Sequence, residues 1–216
     1  MGADPPRTRR DILAAAEELI REEGFGAATT RAIAARAGCA EGSIYRHFPD
    51  KHALIIEIVR SRFPEFMDLV AALPDRAGQR TLGQNLEELA AAALPFYRGI
   101  LPLVVGTMAD HRLLMNQRRA FQETGGGPMR LFRAASAYLG RERELGRLSP
   151  GVSPDHVARL LLGACFTQAF LEQVMGKVAA LGADRDFARK TVTALLEGAR
   201  SVAEAPAHSG NENPVR

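Results

Sequence analysis

Tryptophan is absent from this 216-residue chain, lysine occurs three times and cysteine only twice. Cys39 and Cys165 stand 126 residues apart, and neither belongs to a C-x-x-C or Cys/His cluster. Such spacing implies no zinc site and no disulfide framework. No apolar run approaches the roughly 18 residues that a membrane helix needs, so no membrane partner is expected. The start of the chain lacks the apolar core and cleavage site of a secretory signal, and a cytoplasmic protein is the expectation. No stretch of β-branched or aromatic residues alternates long enough for a sheet. Also missing are an adjacent nucleophile and base, a metal-ligand set and a phosphate-cradling glycine loop, so no catalytic residue, metal or cofactor is assigned. An enzyme remains the rival class, because a triad assembled only in space leaves no sequence trace.

What the chain does have is arginine, 25 of its 28 basic residues, against 25 acidic ones. The formal charge of +3 does not by itself point to nucleic acid, and residues 1–52 hold eight basic and eight acidic side chains. The placement of charge therefore matters more than its sum. Apolar residues recur at helical spacing nearly throughout, which predicts an all-α fold. A first helix is expected over 9–23, with Ile12, Leu13, Ala16, Leu19 and Ile20 on one face and Gly24 as its stop. Thr29 or Thr30 can cap a second helix holding Ile33, Ala34 and Ala37, which ends at Gly38. A third short helix follows over 40–47, and Asp50 can cap a longer one that Pro64 kinks or interrupts. After a break at 74–80, helices are expected at 81–94, 96–109, 111–123, 129–147, 154–176 and 185–203.

Two short helices joined by a glycine turn and preceded by a longer support have the layout of a helix-turn-helix, whose second member enters the major groove. On the outer side of the third helix stand Glu41, Gly42, Ser43, Tyr45, Arg46 and His47, with Lys51 just beyond. Ser43 and Arg46, three apart, share a face that can reach base edges. Tyr45 and Lys51 suit phosphate, and Gly42 permits close backbone approach. Arg7, Arg9 and Arg10 form a basic arm ahead of the first helix, and Arg31 joins the candidate DNA contacts. The competing readings are that Tyr45 packs, that His47 is an incidental C-terminal cap, and that Cys39 is a small buried hydrophobe.

The run GFGAATTRAIAARAGCAEGSIYRHFPDK, Gly24 to Lys51, resembles the DNA-binding signature of the TetR family of bacterial transcriptional regulators. The matching residues are Gly24, Phe25, Thr29, Ile33, Ala34, Ala37, Gly38, Gly42, Tyr45, His47, Phe48 and Lys51. The resemblance implies phosphate contacts from Tyr45, His47 and Lys51, a cap and backbone contact from Thr29, and a groove position for Ser43. Two residues depart from the pattern. Ala40 stands where a serine often caps the recognition helix, and Glu41 stands where a basic or neutral residue is usual. Glu41 is expected to oppose phosphate unless it accepts from a cytosine amino group or pairs with an arginine.

The same resemblance implies a helix-turn-helix domain over 7–66, a larger helical ligand-binding and dimerisation domain over 67–205, and a flexible tail over 206–216. Pairing is expected through the last two long helices, by Val157, Leu161, Ala164, Gln168, Leu171 and Met175, then Val192, Leu195 and Leu196. A homodimer can set two recognition helices on a palindromic double-stranded operator. Phe63, Phe66, Met67, Phe96, Tyr97, Met108, Met115, Phe132, Phe166 and Phe170 are candidates to line an apolar effector cavity, with ordinary core as the competing reading. Arg98, His111 and Gln168 are candidate polar anchors. The expected function is a repressor released by a small, largely apolar molecule. An activator, or a DNA-binding protein of this fold without a ligand, stands as the alternative.

Overall fold

A computed structural model describes residues 9–24, 27–49, 51–109, 111–124, 127–176 and 181–197. The described residues form ten α-helices and no strand. The first four are α1 (Arg9–Glu23), α2 (Thr30–Ala37), α3 (Glu41–His47) and α4 (Lys51–Arg62). After α5 (Pro64–Ala72) and a 3-10 turn at Leu73–Arg76 come α6 (Leu82–Ala109), α7 (His111–Thr124) and α8 (Pro128–Glu144). The last two are α9 (Pro154–Met175) and α10 (Asp184–Glu197).

The first apolar cluster follows from periodicity. Ile12, Ala16, Leu19 and Ile20 of α1 are buried against Ile33 and Ala34 of α2, Ile44 of α3, and Leu54 and Ile58 of α4. Thr29 caps α2 by accepting from the Ala32 N–H at 3.1 Å. Gly38 ends α2 at φ +67°, a conformation that disfavours residues with a Cβ. Its N–H and that of Cys39 bond back to the carbonyls of Ala35 and Ala34. With α2 and α3 only eight and seven residues long, this packing, rather than helix propensity, holds them.

Pro64 separates α4 from α5. It opens α5, and Phe63 before it takes φ −132°, ψ 51°, off the helix, as the pyrrolidine ring demands of its predecessor. Pro95 behaves otherwise. The sequence predicts a break there, yet α6 runs unbroken for 28 residues through both Pro95 and Pro102. A proline inside a helix costs about 3 kcal/mol. The neighbours Leu94, Phe96 and Leu101 are sunk in the second apolar cluster, and burying a large apolar side chain contributes about 1.5–3 kcal/mol each. Tertiary packing outweighs the local penalty.

The second cluster joins α5, α6, α8, α9 and α10. α6 lies against α9 and α10, and α8 against α9. A buried polar network pins the 74–80 turn to α8. Asn85 Nδ2 donates to the Gln79 carbonyl at 2.8 Å and to the Tyr138 hydroxyl at 3.0 Å. Glu142, fully buried, accepts from the Gly78 N–H and pairs with Arg147 at 2.9 Å. Both thiols are free, and Cys165 is sealed in this core, where burial pushes its thiol up to about 12. None of the described helices is long and apolar enough to cross a membrane.

Candidate nucleic-acid interface

The turn at Gly38 sets α3 so that Ile44 and, just beyond the helix, Phe48 point inward, both almost wholly buried. Glu41, Gly42, Tyr45, Arg46 and His47 are left exposed, with Ser43 half-buried beside them. Around Gly42 no heavy atom lies within 4 Å of where a Cβ would stand, so the backbone there is open to close approach. Among the described residues, Arg31 and Arg46 make no ion pair, which leaves both guanidinium groups available. Lys51 opens α4, but its side chain lies outside the described residues, as do Arg7 and the Phe25 and Asp50 positions.

Two residues do something other than what the sequence predicts. Arg9 is no flexible arm: it begins α1, pairs with Glu57 of α4 at 3.0 Å and lies 5.0 Å over the Phe48 ring. That cation–π contact and ion pair hold the guanidinium against the chain. Arg10 is exposed beside it. Glu41 makes no ion pair with an arginine among the described residues; its carboxylate accepts from the Thr30 hydroxyl at 2.6 Å. Thr29 caps α2 as expected, its hydroxyl oxygen accepting from the Ala32 N–H. Arg36 pairs with Glu22 and Glu23 at 2.7 and 3.3 Å and faces α1.

In the second cluster the structure brings five of the predicted cavity residues into one aromatic row. Phe66 stacks on Phe96 with centroids 4.3 Å apart, Phe63 meets Phe96 edge-on at 5.4 Å, and Tyr97 meets Phe166 of α9 at 5.5 Å. Burial holds the Tyr97 phenol well above its ordinary range. Met67 packs against the same core. Met108 and Met115, near the α6–α7 junction, are exposed and stand outside the row, and Phe170 is also exposed. Phe132 lies on α8 beneath the Arg159 guanidinium. Arg98 is no open anchor, because Glu172 of α9 and Asp184 of α10 both grip it, and Gln168 donates to Glu172. His111 is exposed.

The predicted pairing stripe divides: on α9, Leu171 and Met175 are exposed and Ala164 half-buried, while its other members turn inward. Val157, Leu161, Gln168 and Val192 are at most 7% exposed and pack inside their own chain, so a partner cannot reach them. The outward face of α9 is rotated about 100° from Val157, Leu161 and Gln168. It carries Leu160 and Val174, 62% and 66% exposed, in register with Ala164, Thr167 and Leu171, and with Met175 beside them. Leu196 of α10 is also exposed, and Leu195 half-buried. The signal was present in the consecutive Leu160, Leu161 and Leu162: a helix apolar on more than one side has more than one neighbour.

Residues 12–58 match the family model for bacterial regulatory proteins, tetR family. Over 64 residues the chain is 42% identical to the HTH-type transcriptional repressor BepR of Brucella suis, covering 29% of this chain and 31% of that protein. It is 44% identical over 57 residues to the HTH-type transcriptional regulator UidR of Escherichia coli K12, covering 26% and 28% of the two chains. The matched stretch thus spans about a third of each curated relative's length. Among solved structures, Salmonella enterica GusR superposes with a TM-score of 0.62 at 20% identity, over 91% of this chain and 98% of that one. FadR from Bacillus subtilis in complex with stearoyl-CoA gives 0.63 at 17% identity, over 89% and 100%. These structural likenesses establish the fold.

Proposed function

We propose that the chain, whose residues 12–58 match the tetR family of bacterial regulatory proteins, is a TetR-family repressor that binds a palindromic operator as a two-fold dimer and is released by a small, largely apolar effector. The observation that carries the reading is the outer face of α3. Tyr45 and Arg46 stand in solvent on a helix whose other face is anchored by buried Ile44 and Phe48. Such an element presents base-reading and phosphate-holding groups from a rigid base. Arg46 and Ser43 are assigned to the groove, and Tyr45, His47, Lys51, Arg31 and Thr29 to the backbone. Gly42 gives the close approach, Arg10 flanks the site and Arg9 supports it, while Arg7, outside the described residues, is assigned to the backbone by sequence alone.

Two half-sites need two copies held in a fixed relation. The exposed α9 face of Leu160, Ala164, Thr167, Leu171 and Val174 supports a two-fold seam, with Met175 and Leu196 at its margin. We place the division between DNA-binding and effector units at Phe63, because Phe63 and Phe66 pack on Phe96 of α6. The effector is assigned to the aromatic row from Phe63 to Phe166. The stearoyl-CoA held by the fold-related B. subtilis FadR makes long-chain acyl compounds the first class to try.

Selection of genomic fragments by the purified protein tests the whole reading. A recovered palindrome, bound with an affinity that falls steeply with salt, is the expected result. Failure to retain any fragment, or a chain that stays single at working concentration, would overturn it. Release of that palindrome by acyl compounds is then titrated directly, and no change in DNA affinity with any of them removes the effector assignment.

A further inference from the structure

Position 40 gives α3 no side-chain cap: Ala40 has the extended backbone of a cap residue but no hydrogen-bonding atom beyond Cβ. The next residue, Glu41, is an acid in the first helical turn, where the helix dipole favours it. Its carboxylate accepts from the Thr30 hydroxyl at 2.6 Å, and Thr30 is only 9% exposed. Thr30 is the first residue of α2 and Glu41 the first of α3, so one charge-assisted bond ties the starts of both helices across the Gly38 turn. Turning Glu41 outward toward a base breaks that bond and leaves a nearly buried hydroxyl without its acceptor.

We infer that Glu41 is a positioning residue: by holding Thr30 it fixes the angle at which α3 leaves α2, and so sets the base preference exercised by Ser43 and Arg46 without itself touching a base. This rests on the DNA-binding reading above and assigns Glu41 a role within it. A seven-residue helix anchored inwardly by Ile44 and Phe48 has little of its own to resist swivelling about those contacts. A polar link at its first residue acts at the end of the lever, where a small rotation moves Arg46 along the groove.

The test uses the full chain as wild type, Glu41→Ala, Glu41→Gln, Thr30→Val and the Thr30→Val/Glu41→Ala double variant. Each is titrated at constant salt against the selected operator and against duplexes in which every base pair of one half-site is changed in turn. Melting curves without DNA confirm that all five proteins fold. Glu41→Ala and Thr30→Val are each expected to weaken operator binding about tenfold and to relax preference over several base pairs, with the double variant no weaker than either single one. Glu41→Gln keeps most of the wild-type pattern, since its amide oxygen accepts from Thr30. The inference is overturned if Glu41→Ala erases discrimination at a single C·G pair while Thr30→Val keeps the wild-type pattern, for then Glu41 reads cytosine. It is equally overturned if the two single losses add, or if both variants bind as wild type. Wild-type protein that selects no operator defeats the DNA-binding reading and this one together, an outcome distinct from a defect confined to the variants.

Discussion

Gly99→Ala places one methyl group where Phe63 already is. A Cβ at position 99 would stand 2.2 Å from Phe63 Cζ and 3.0 Å from Cε2, inside any real carbon contact. The ring cannot simply swing away, because it also meets Phe96 edge-on and belongs to a residue held off the helix by Pro64. Overpacking of this kind costs about 1–3 kcal/mol. Alanine in place of glycine inside a helix returns about 0.8–1 kcal/mol. The net loss is therefore about 1 kcal/mol, a fall in melting temperature of about 2–4 °C for a chain of this size. In a Phe63→Ala background the obstruction is gone and only the helix gain remains, so the same substitution should raise stability by up to about 1 kcal/mol. Thermal melts of wild type, both single variants and the double variant, followed by circular dichroism at one protein concentration, read this reversal of sign. If Gly99→Ala stabilises both backgrounds equally, Phe63 does not occupy the notch and the packing argument fails.

Leu160→Asp and Val174→Asp should convert a dimer to a monomer in sedimentation while leaving helix content intact, whereas Val157→Asp, buried in the same helix, should unfold the chain. Arg98→Gln should cost about 2 kcal/mol at pH 7, because it leaves Glu172 and Asp184 without their shared donor. Hydrogen bonds from Arg98, the largest cause, hold the Glu172 carboxyl below its ordinary value; its contribution is therefore full above about pH 4.3 and lost as pH falls through the lowered folded value. Denaturant titrations should show the gap between wild type and Arg98→Gln closing in acid, and a gap that persists there would contradict the assignment. Arg46→Ala should lose about 1–3 kcal/mol of discrimination at one base pair per half-site. Tyr45→Phe and Lys51→Ala should instead weaken all sequences alike, Lys51→Ala also lowering the salt slope by about one per protomer. Identical sequence profiles for Arg46→Ala and Lys51→Ala would refute that division.

The N-terminal unit was legible because its signals are local. A side-chain cap at Thr29, a left-handed glycine at 38 and a 3.6-residue apolar period each act within a few residues, and α1 to α3 stand where these place them. Errors arose where a distant partner decides the outcome. Pro95 reads as a stop, but the core around Leu94 and Phe96 carries α6 through it. Val157 and Leu161 form a sound apolar stripe, and nothing in their spacing says whether α6 of the same chain or a second copy covers it. Arg9 and Glu41 read as DNA-facing charges because Glu57 and Thr30 lie 48 and 11 residues away along the chain. The aromatic row was named residue by residue, but its order, Phe66 on Phe96 and Tyr97 on Phe166, exists only once α5, α6 and α9 meet.

Pro95 and Pro102 stand seven residues apart, nearly two full turns, so both missing amide hydrogens fall on one side of α6. The carbonyls of Ala91 and Arg98 consequently lack the donors that a regular ladder supplies. Between them sit Phe96, Tyr97, Arg98 and Gly99, whose contacts reach α5, α9, α10 and the Phe63 joint. A rod-like helix would transmit displacement stiffly along its axis. This one lacks two backbone bonds where its neighbours converge, so any bending is expected within the two turns that the rings bracket.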